Sequence, residues 1–381
     1  MDKPLHIELV TETYPPDVNG VALTVQSLEQ GLRRLGHAVG LVRPEREHDG
    51  PRPDPMLMLV EGAPIPRYPG LRFGLPAGRR LAARWKAQRP DAVYIATEGP
   101  LGWSALRACR QLGIPVATGF HTRFDDYVGR YGAGFLSPWV FAWLRRFHNR
   151  ADATLVPTRE LLEQLAQQGF QRPVRLGRAV DTRAFHPDWR DGALRERWGA
   201  RDGAPVLLHV GRIAPEKNLP LAVRAYRALQ KQRPDARFVW VGDGPARAQL
   251  QLDNPDFIFT GVQRGDDLAR HFASADLFCF PSLSETFGNV TLEAMASGIA
   301  TVAFDYGAAR EHLRHGLHGA TVAFGDEPGF VEALVATATG DGLRHQGAAA
   351  RSAVQHLHPE QVAADFAALL AGLGRRREQA A

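Results

Sequence analysis

The sequence predicts an α/β protein built as two doubly wound parallel-sheet domains facing a cleft. Short apolar runs alternate with amphipathic helical stretches from end to end, which is the pattern of βα units. The length of 381 residues suits two domains rather than one. Between about 180 and 204 the rhythm breaks, with Pro187, Gly192 and polar residues, and a fresh strand follows. That break reads as an interdomain linker.

In the first unit His6–Val10 reads as a buried strand, 20–35 as a helix and 38–43 as the next strand. A basic amphipathic helix follows over 75–88, then strand 92–96, helix 101–112, strand 115–119, helix 139–149, strand 153–156 and helix 159–168. The second unit opens with strand 206–210, continues through helix 219–231, strand 237–241, helix 246–252 and strand 257–260, and then helix 266–274 and strand 277–281. Helix 290–297, strand 300–304 and a last helix over 360–373, ending in Arg375-Arg376-Arg377, complete it. The expected division is 1–185, 186–365 and a C-terminal helix and basic tail, 366–381, that crosses back to the first domain.

Composition excludes several classes. With 23% charged and 44% hydrophobic residues the chain is neither disordered nor fibrous. Cys109 and Cys279 stand far apart in apolar surroundings, so no disulfide framework or cysteine metal site organises the fold. No run reaches the ~18 apolar residues that span a bilayer, and the N-terminus shows no signal-peptide pattern. A cytoplasmic location is expected, with peripheral attachment to the inner face of the membrane as its variant. The net charge of +5 is uneven: 25 basic against 18 acidic residues through position 185, and 21 against 23 after it. The surplus is dispersed and Arg-rich, with four lysines, unlike the dense basic face of a nucleic-acid binder. An anionic partner for the first half stays open.

Doubly wound sheets bind ligands in the loops after strands. The first such loop, Glu12 to Val21, lacks G-x-G-x-x-G, as does the rest of the chain, which argues against a dinucleotide enzyme. Asn19-Gly20, opening a helix, offers amides to an anion or sugar, or is a plain turn. After strand 206–210, Gly211 to Leu219 carries Arg212 and Lys217 into a helix, where two cations and a helix terminus suit a diphosphate. The alternative is a solvated loop with Lys217 paired to Glu216. Gly242-Asp243-Gly244-Pro245 is explained by a tight reversal. The loop Pro281 to Gly288 is the most informative. Glu285 lies before a helix and Glu293 one turn inside it, with seven residues between them, on a helix whose next residues are Ala294, Met295 and Ala296. Apolar company is poor company for a solvated acid, and carboxylates suit paired hydroxyls.

These residues resemble the retaining glycosyltransferases of family 4. The resemblance covers nearly the whole chain: the G-R-x-x-x-E-K-N loop, the G-D-G-P turn, Ser274-Ala275-Asp276 and the Glu285/Glu293 pair in the second half, and in the first the Pro-Pro-x-x-x-Gly-Val loop, Phe120-His121-Thr122, Val156-Pro157-Thr158 and Val180 to Pro187. The family has the GT-B fold, two Rossmann-like domains, with the acceptor mostly on the first and a nucleotide sugar mostly on the second. The resemblance implies that Glu293 holds the ribose and Glu285 the donor hexose, with the backbone of Thr286, Phe287, Gly288, Asn289 and Val290 touching sugar and phosphate. Arg212 and Lys217, with Gly211 beside them, would neutralise the diphosphate; Asn19 and Gly20 would approach it from the first domain, and His121 would contact the transferred sugar. The paired glycines common in the first loop are here Asn19-Gly20, a change that asparagine tolerates.

The chain contains no D-x-D, so no metal or other cofactor is expected, and the two cations take a metal's place. No carboxylate is an obvious covalent nucleophile, and the resemblance suggests front-side attack. The expected partners are a nucleotide sugar, GDP-mannose or a UDP-hexose, and a hydroxyl acceptor, with lipids such as diacylglycerol or phosphatidylinositol favoured over soluble sugars and polysaccharides. Trp139 to Arg150 mixes aromatics with arginines, and Arg79, Arg80, Arg84, Lys86 and Arg89 line another helix, a composition suited to an anionic membrane surface. The competing readings are a nucleotide-sugar epimerase, a phosphorylase and a non-catalytic sugar-nucleotide-binding protein.

Overall fold

The computed structural model describes all residues except 1–2, 18, 47–48, 50–53, 65–71, 122–136, 202 and 381, and no side chains at 137–138 and 376–380. Thr122 and Val18 of the expected motifs, and the Arg376 and Arg377 side chains of the tail, lie outside the described residues.

The chain forms two compact units, 1–178 with 359–381, and 179–358. In the first, the strands are β1 (His6–Val10), β2 (Ala38–Pro44), β3 (Leu57–Val60), β4 (Gly62–Pro64), β5 (Arg72–Gly74), β6 (Ala92–Ile95), β7 (Val116–Gly119), β8 (Ala153–Val156) and β9 (Pro173–Arg175). Seven of them make one parallel sheet in the order β3-β2-β1-β6-β7-β8-β9, and β4 pairs antiparallel with β5. In the second, β10 (Val206–Val210), β11 (Arg237–Val241), β12 (Ile258–Gly261), β13 (Leu277–Phe280), β14 (Ala300–Phe304) and β15 (Gly319–Val322) form a parallel sheet in the order β12-β11-β10-β13-β14-β15. Strands buried on both faces need continuous apolar runs, and Val206–Val210 and Leu277–Phe280 are buried at every position.

Strand order reverses between β1 and β6 in the first sheet and between β10 and β13 in the second. The loops after those four strands therefore flank the two crevices in which such sheets bind ligands. In the second unit these are the loops after Val210 and after Phe280, the two that the sequence marks most strongly.

The expected linker is instead part of the second unit. Val180, Leu194, Trp198, Ala200 and Ala204 are buried in its core with Phe272 and Phe278. Arg190 and Arg195 reach the Asp276 carboxylate at 2.7 and 3.0 Å, and Ser274 Oγ accepts from Asp191 N at 2.9 Å. Ser274-Ala275-Asp276 is thus the anchor of segment 187–197. The unit boundary falls at 178 rather than 185, because Val180 N already donates to Leu357 O, 3.0 Å away, inside the second unit.

Helix Pro359–Ala380 belongs to the first unit from its start, rather than from 366. Its Phe366, Leu370 and Leu373 share a buried cluster with Ile7, Leu9, Val25 and Leu28. It lies so close to helix Gly20–Arg34 that a Cβ on Gly31 would stand 2.5 Å from Ala363 Cβ. Counted over these units, the first carries 27 basic against 20 acidic residues and the second 19 against 21, so the charge asymmetry survives the revised boundary.

Candidate active site

The loop after β10 enters helix Leu219–Gln232 through a short 3-10 turn, Pro215–Lys217, and through Asn218 in the left-handed region at φ 52°. It is braced from β11. Gly242, at φ 136°, passes so close that a Cβ would lie 1.9 Å from Gly211 O. Ile213 N donates to Asp243 O at 2.9 Å, and Ala246 N to Ile213 O at 3.1 Å. The Gly242–Pro245 turn therefore holds the cation loop in shape.

Within that loop Arg212 faces Glu216 at 3.6 Å, while Lys217 pairs across the crevice with Glu285. The alternative pairing of Lys217 with Glu216 does not occur. Ser282 Oγ, fully buried, donates to Glu285 Oε1 at 2.8 Å, and Tyr306 Oη holds Ser282 O at 2.8 Å. A cation and a carboxylate from separate loops are thereby fixed at one point of the crevice, each only partly exposed. A charge-assisted contact of this kind orients both groups toward any ligand that enters.

The next residues turn into helix Asn289–Ala296. Phe287 buries its ring in the core while its carbonyl accepts from Ala308 N at 2.7 Å. Gly288 caps the helix at φ 90° with no side chain to offer, so Asn289 and Val290 open it with amides that no side chain caps. One turn on, Glu293 is half-buried between Leu292 and Ala294, which are fully buried. Among the described residues no hydrogen bond or ion pair reaches its carboxylate. Burial alone pushes its pKa up to about 7.

Sequence reasoning missed His209, which interrupts the apolar run of β10 one residue before the strand ends. It is fully buried, packs 4.7 Å from the Trp240 ring and gives Nδ1–H to Cys279 O at 3.2 Å. Burial lowers its pKa to about 4, so the ring is neutral. The only signal was a polar residue inside Val206–Val210.

Asn19, Gly20 and His121 lie in the first unit. Asn19 Oδ1 accepts from Ala22 N at 2.9 Å, capping helix Gly20–Arg34, and its Nδ2 donates to Thr13 Oγ1 at 2.7 Å. At φ −151° it is extended and uses none of a glycine's freedom. Arg46 fastens the same loop by pairing with Asp17 at 2.6 Å, a clamp that the sequence did not reveal. His121 follows β7, with Nδ1 2.7 Å from Arg178 Nη2 and Nε2 2.5 Å from Tyr94 Oη.

The second unit thus brings together Gly211, Arg212, Lys217, Glu285, Thr286 to Val290 and Glu293 around one switch point, and the first unit carries the other three residues. Among the described residues there is no group of three or more His, Cys, Asp or Glu placed to hold a metal ion.

Comparison with known proteins agrees with this architecture. The family model "Glycosyltransferase Family 4" matches residues 18–184, and "Glycosyl transferases group 1" matches 204–339. A GDP-mannose-dependent alpha-mannosyltransferase of Mycolicibacterium smegmatis is 36% identical, over 99% of this chain and 100% of that protein. An alpha-monoglucosyldiacylglycerol synthase of Streptococcus pneumoniae is 29% identical over 78% of this chain and 71% of its own length. The solved sucrose-phosphate synthase of Thermosynechococcus elongatus superposes with a TM-score of 0.74 at 18% identity, covering 99% of this chain and 100% of that one. The chain belongs to glycosyltransferase family 4, and it is a glycosyltransferase of the GT-B fold.

Proposed function

We propose that the enzyme transfers mannose from GDP-mannose to a hydroxyl of a membrane lipid, with retention of configuration and without a metal. The observation that carries the donor site is Glu293, a half-buried carboxylate with no described protein partner, one turn inside a helix that no side chain caps. A buried acid lacking a partner is costly unless a ligand supplies one. A ribose diol does so with two hydrogen bonds. The diphosphate then lies against the amides of Asn289 and Val290 and against Arg212 and Lys217, while Glu285 takes hydroxyls of the hexose.

Departure of the nucleoside diphosphate builds negative charge, and each preorganised donor aimed at it is worth about 10²–10³ in rate. Lys217, already fixed by Glu285, needs little reorganisation to act. The leaving phosphate accepts the acceptor's proton on the same face, which gives retention. The first unit would receive the acceptor. Mannose is favoured because the mycobacterial relative, aligned over nearly the whole of both chains, is named for GDP-mannose.

A lipid acceptor is supported by the surface of helix Ser137–His148. Trp139 is 77% exposed and Trp143 42%. Beside them Arg150 stacks over Trp103 at 5.4 Å, with Arg107, Arg110 and Arg146 close enough to repel it. Crowded guanidiniums next to exposed tryptophans suit an anionic lipid surface at the inner face of the membrane. Among the described residues no helix is long and apolar enough to cross a membrane.

The test is a panel of GDP-mannose, UDP-glucose and UDP-galactose, each with and without vesicles of phosphatidylinositol or diacylglycerol, read by nucleotide release and by NMR of the product's anomeric linkage. GDP release that requires vesicles, with an α-mannosyl lipid as product, is expected. Conversion of the sugar without acceptor would establish the epimerase reading, and transfer only to soluble sugars would remove the lipid.

A further inference from the structure

His121 sits in a hydrogen-bonded row that the donor site does not account for. A guanidinium can only donate, so the 2.7 Å contact from Arg178 Nη2 makes Nδ1 of His121 the acceptor. The ring proton must then be on Nε2, which gives it to Tyr94 Oη at 2.5 Å. Tyr94 is itself fixed: 1% exposed, with its ring edge-on to Phe366 at 5.0 Å. Gly119 leaves the space for this row, since a Cβ there would lie 2.2 Å from Tyr94 Oη and 2.4 Å from His121 Nε2.

Among the described residues, the titratable group that bears on His121 besides Arg178 and Tyr94 is His148. That ring is occupied by Glu98 at 3.3 Å and Thr118 Oγ1 at 2.8 Å, both buried. Glu98 is therefore engaged by His148, and among the described residues the charge directly against His121 is the positive one of Arg178. Burial and that charge hold the His121 pKa well below the usual imidazole range.

We infer that Arg178 is a positioning residue that locks His121 in its neutral, Nε2-protonated form, so that His121 serves the reaction as a fixed hydrogen-bonding group and not as a general base. Its one lone pair in the ring plane is already taken by Arg178, and no second is left to receive a proton from the acceptor. The catalytic consequence rests on the proposed transferase site; the tautomer does not.

Histidine-labelled full-length protein, titrated by NMR from pH 5 to 8.5 and assigned with His121→Asn, decides it. The His121 ring is expected to show Nε2–H shifts and no titration. Arg178→Met should free Nδ1, so that the ring shifts leave the pure Nε2–H pattern and titration moves to higher pH than in wild type, still below the ordinary value of about 6.5 because the ring stays buried. Arg178→Lys should keep the wild-type pattern. Titration of wild-type His121 near 6.5, or an Arg178→Met spectrum unchanged from wild type, overturns the inference. Should Arg178→Met fail to fold, Tyr94→Phe takes its place: it removes the Nε2–H acceptor, leaves Nδ1 engaged, and should still show no titration. In the transfer assay, the kcat/KM profile should keep the same limb, that of Glu293 near pH 7, in wild type and in His121→Asn. A protein that turns over no nucleotide sugar would defeat the proposed function while the NMR result still stands on its own.

Discussion

Two glutamates, one in each unit, share one electrostatic condition and differ in everything else. Burial is the main cause that raises both Glu12 and Glu293 to a pKa of about 7. Glu12 has an evident structural task. Its Oε1 accepts from Leu101 N at 3.1 Å, at the start of helix Pro100–Leu112, where the capping residue Gly99 has no side chain. It reaches this place because a Cβ on Gly99 would fall 2.0 Å from its Oε2. Among the described residues Glu293 has no such partner. A perturbed carboxylate thus marks a ligand site only when the protein leaves its hydrogen bonds unfilled.

Substitution should separate the two most sharply. If Glu293 holds the donor ribose as proposed, Glu293→Ala removes two charge-assisted bonds, and GDP-mannose affinity measured by calorimetry should fall about 30- to 150-fold, roughly 2–3 kcal/mol. The melting temperature without ligand should not fall, because a costly buried acid is gone. Glu12→Ala should do the reverse, losing a helix cap worth about 1 kcal/mol and leaving the affinity unchanged. Equal losses of affinity in both variants would break the comparison.

Titration sharpens it further. Both carboxyls keep protons in the folded state that the unfolded chain releases above the ordinary glutamate value of 4.5. Where the native state binds more protons, stability falls as pH rises. Their contribution is therefore complete below pH 4.5 and lost as pH climbs through about 7. Glu12→Gln and Glu293→Gln should each flatten that slope in thermal melts between pH 5 and 8. Only Glu293→Gln should also alter binding: wild-type affinity for GDP-mannose should drop up to about tenfold per pH unit below 7, and the variant's should stay level.

Periodicity and loop position made most of this architecture legible. Short, largely apolar strands announced both sheets, and the loops after β10 and β13 carried the residues that meet at the switch point. Pairings over long separations were another matter. Lys217 and Glu285 are 68 residues apart, and the nearer Glu216 was the obvious local partner. Segment 187–197 looked like a linker because its order comes from arginine and aspartate contacts with residues 273–276, which no local pattern encodes. Helix Glu327–Thr339 went unread although Asp326 caps it through Gly329 N and Pro328 stands in its first turn. Strands β4, β5 and β9, three residues each, are too short to carry a period.

The two basic helices teach the same lesson with a smaller effect. In sequence Gly78–Ala87 and Ser137–His148 were equal candidates for a membrane surface. In the fold, Arg84 is engaged with buried Glu8 at 2.9 Å, Arg80 with Leu59 O at 3.1 Å, and Arg89 just beyond the first helix with Leu112 O at 2.8 Å. Helix Ser137–His148 instead keeps Trp139 and Trp143 exposed beside the Arg107, Arg110, Arg146 and Arg150 cluster. A basic residue near an anionic surface contributes about 1 kcal/mol, so Arg146→Glu should weaken sedimentation with phosphatidylglycerol vesicles at least fivefold. Lys86→Glu, on the helix where Arg80 and Arg84 are engaged by the protein, should change it much less. If the two variants weaken binding equally, the attraction comes from the net charge of the first unit, and the tryptophan face has no special part in it.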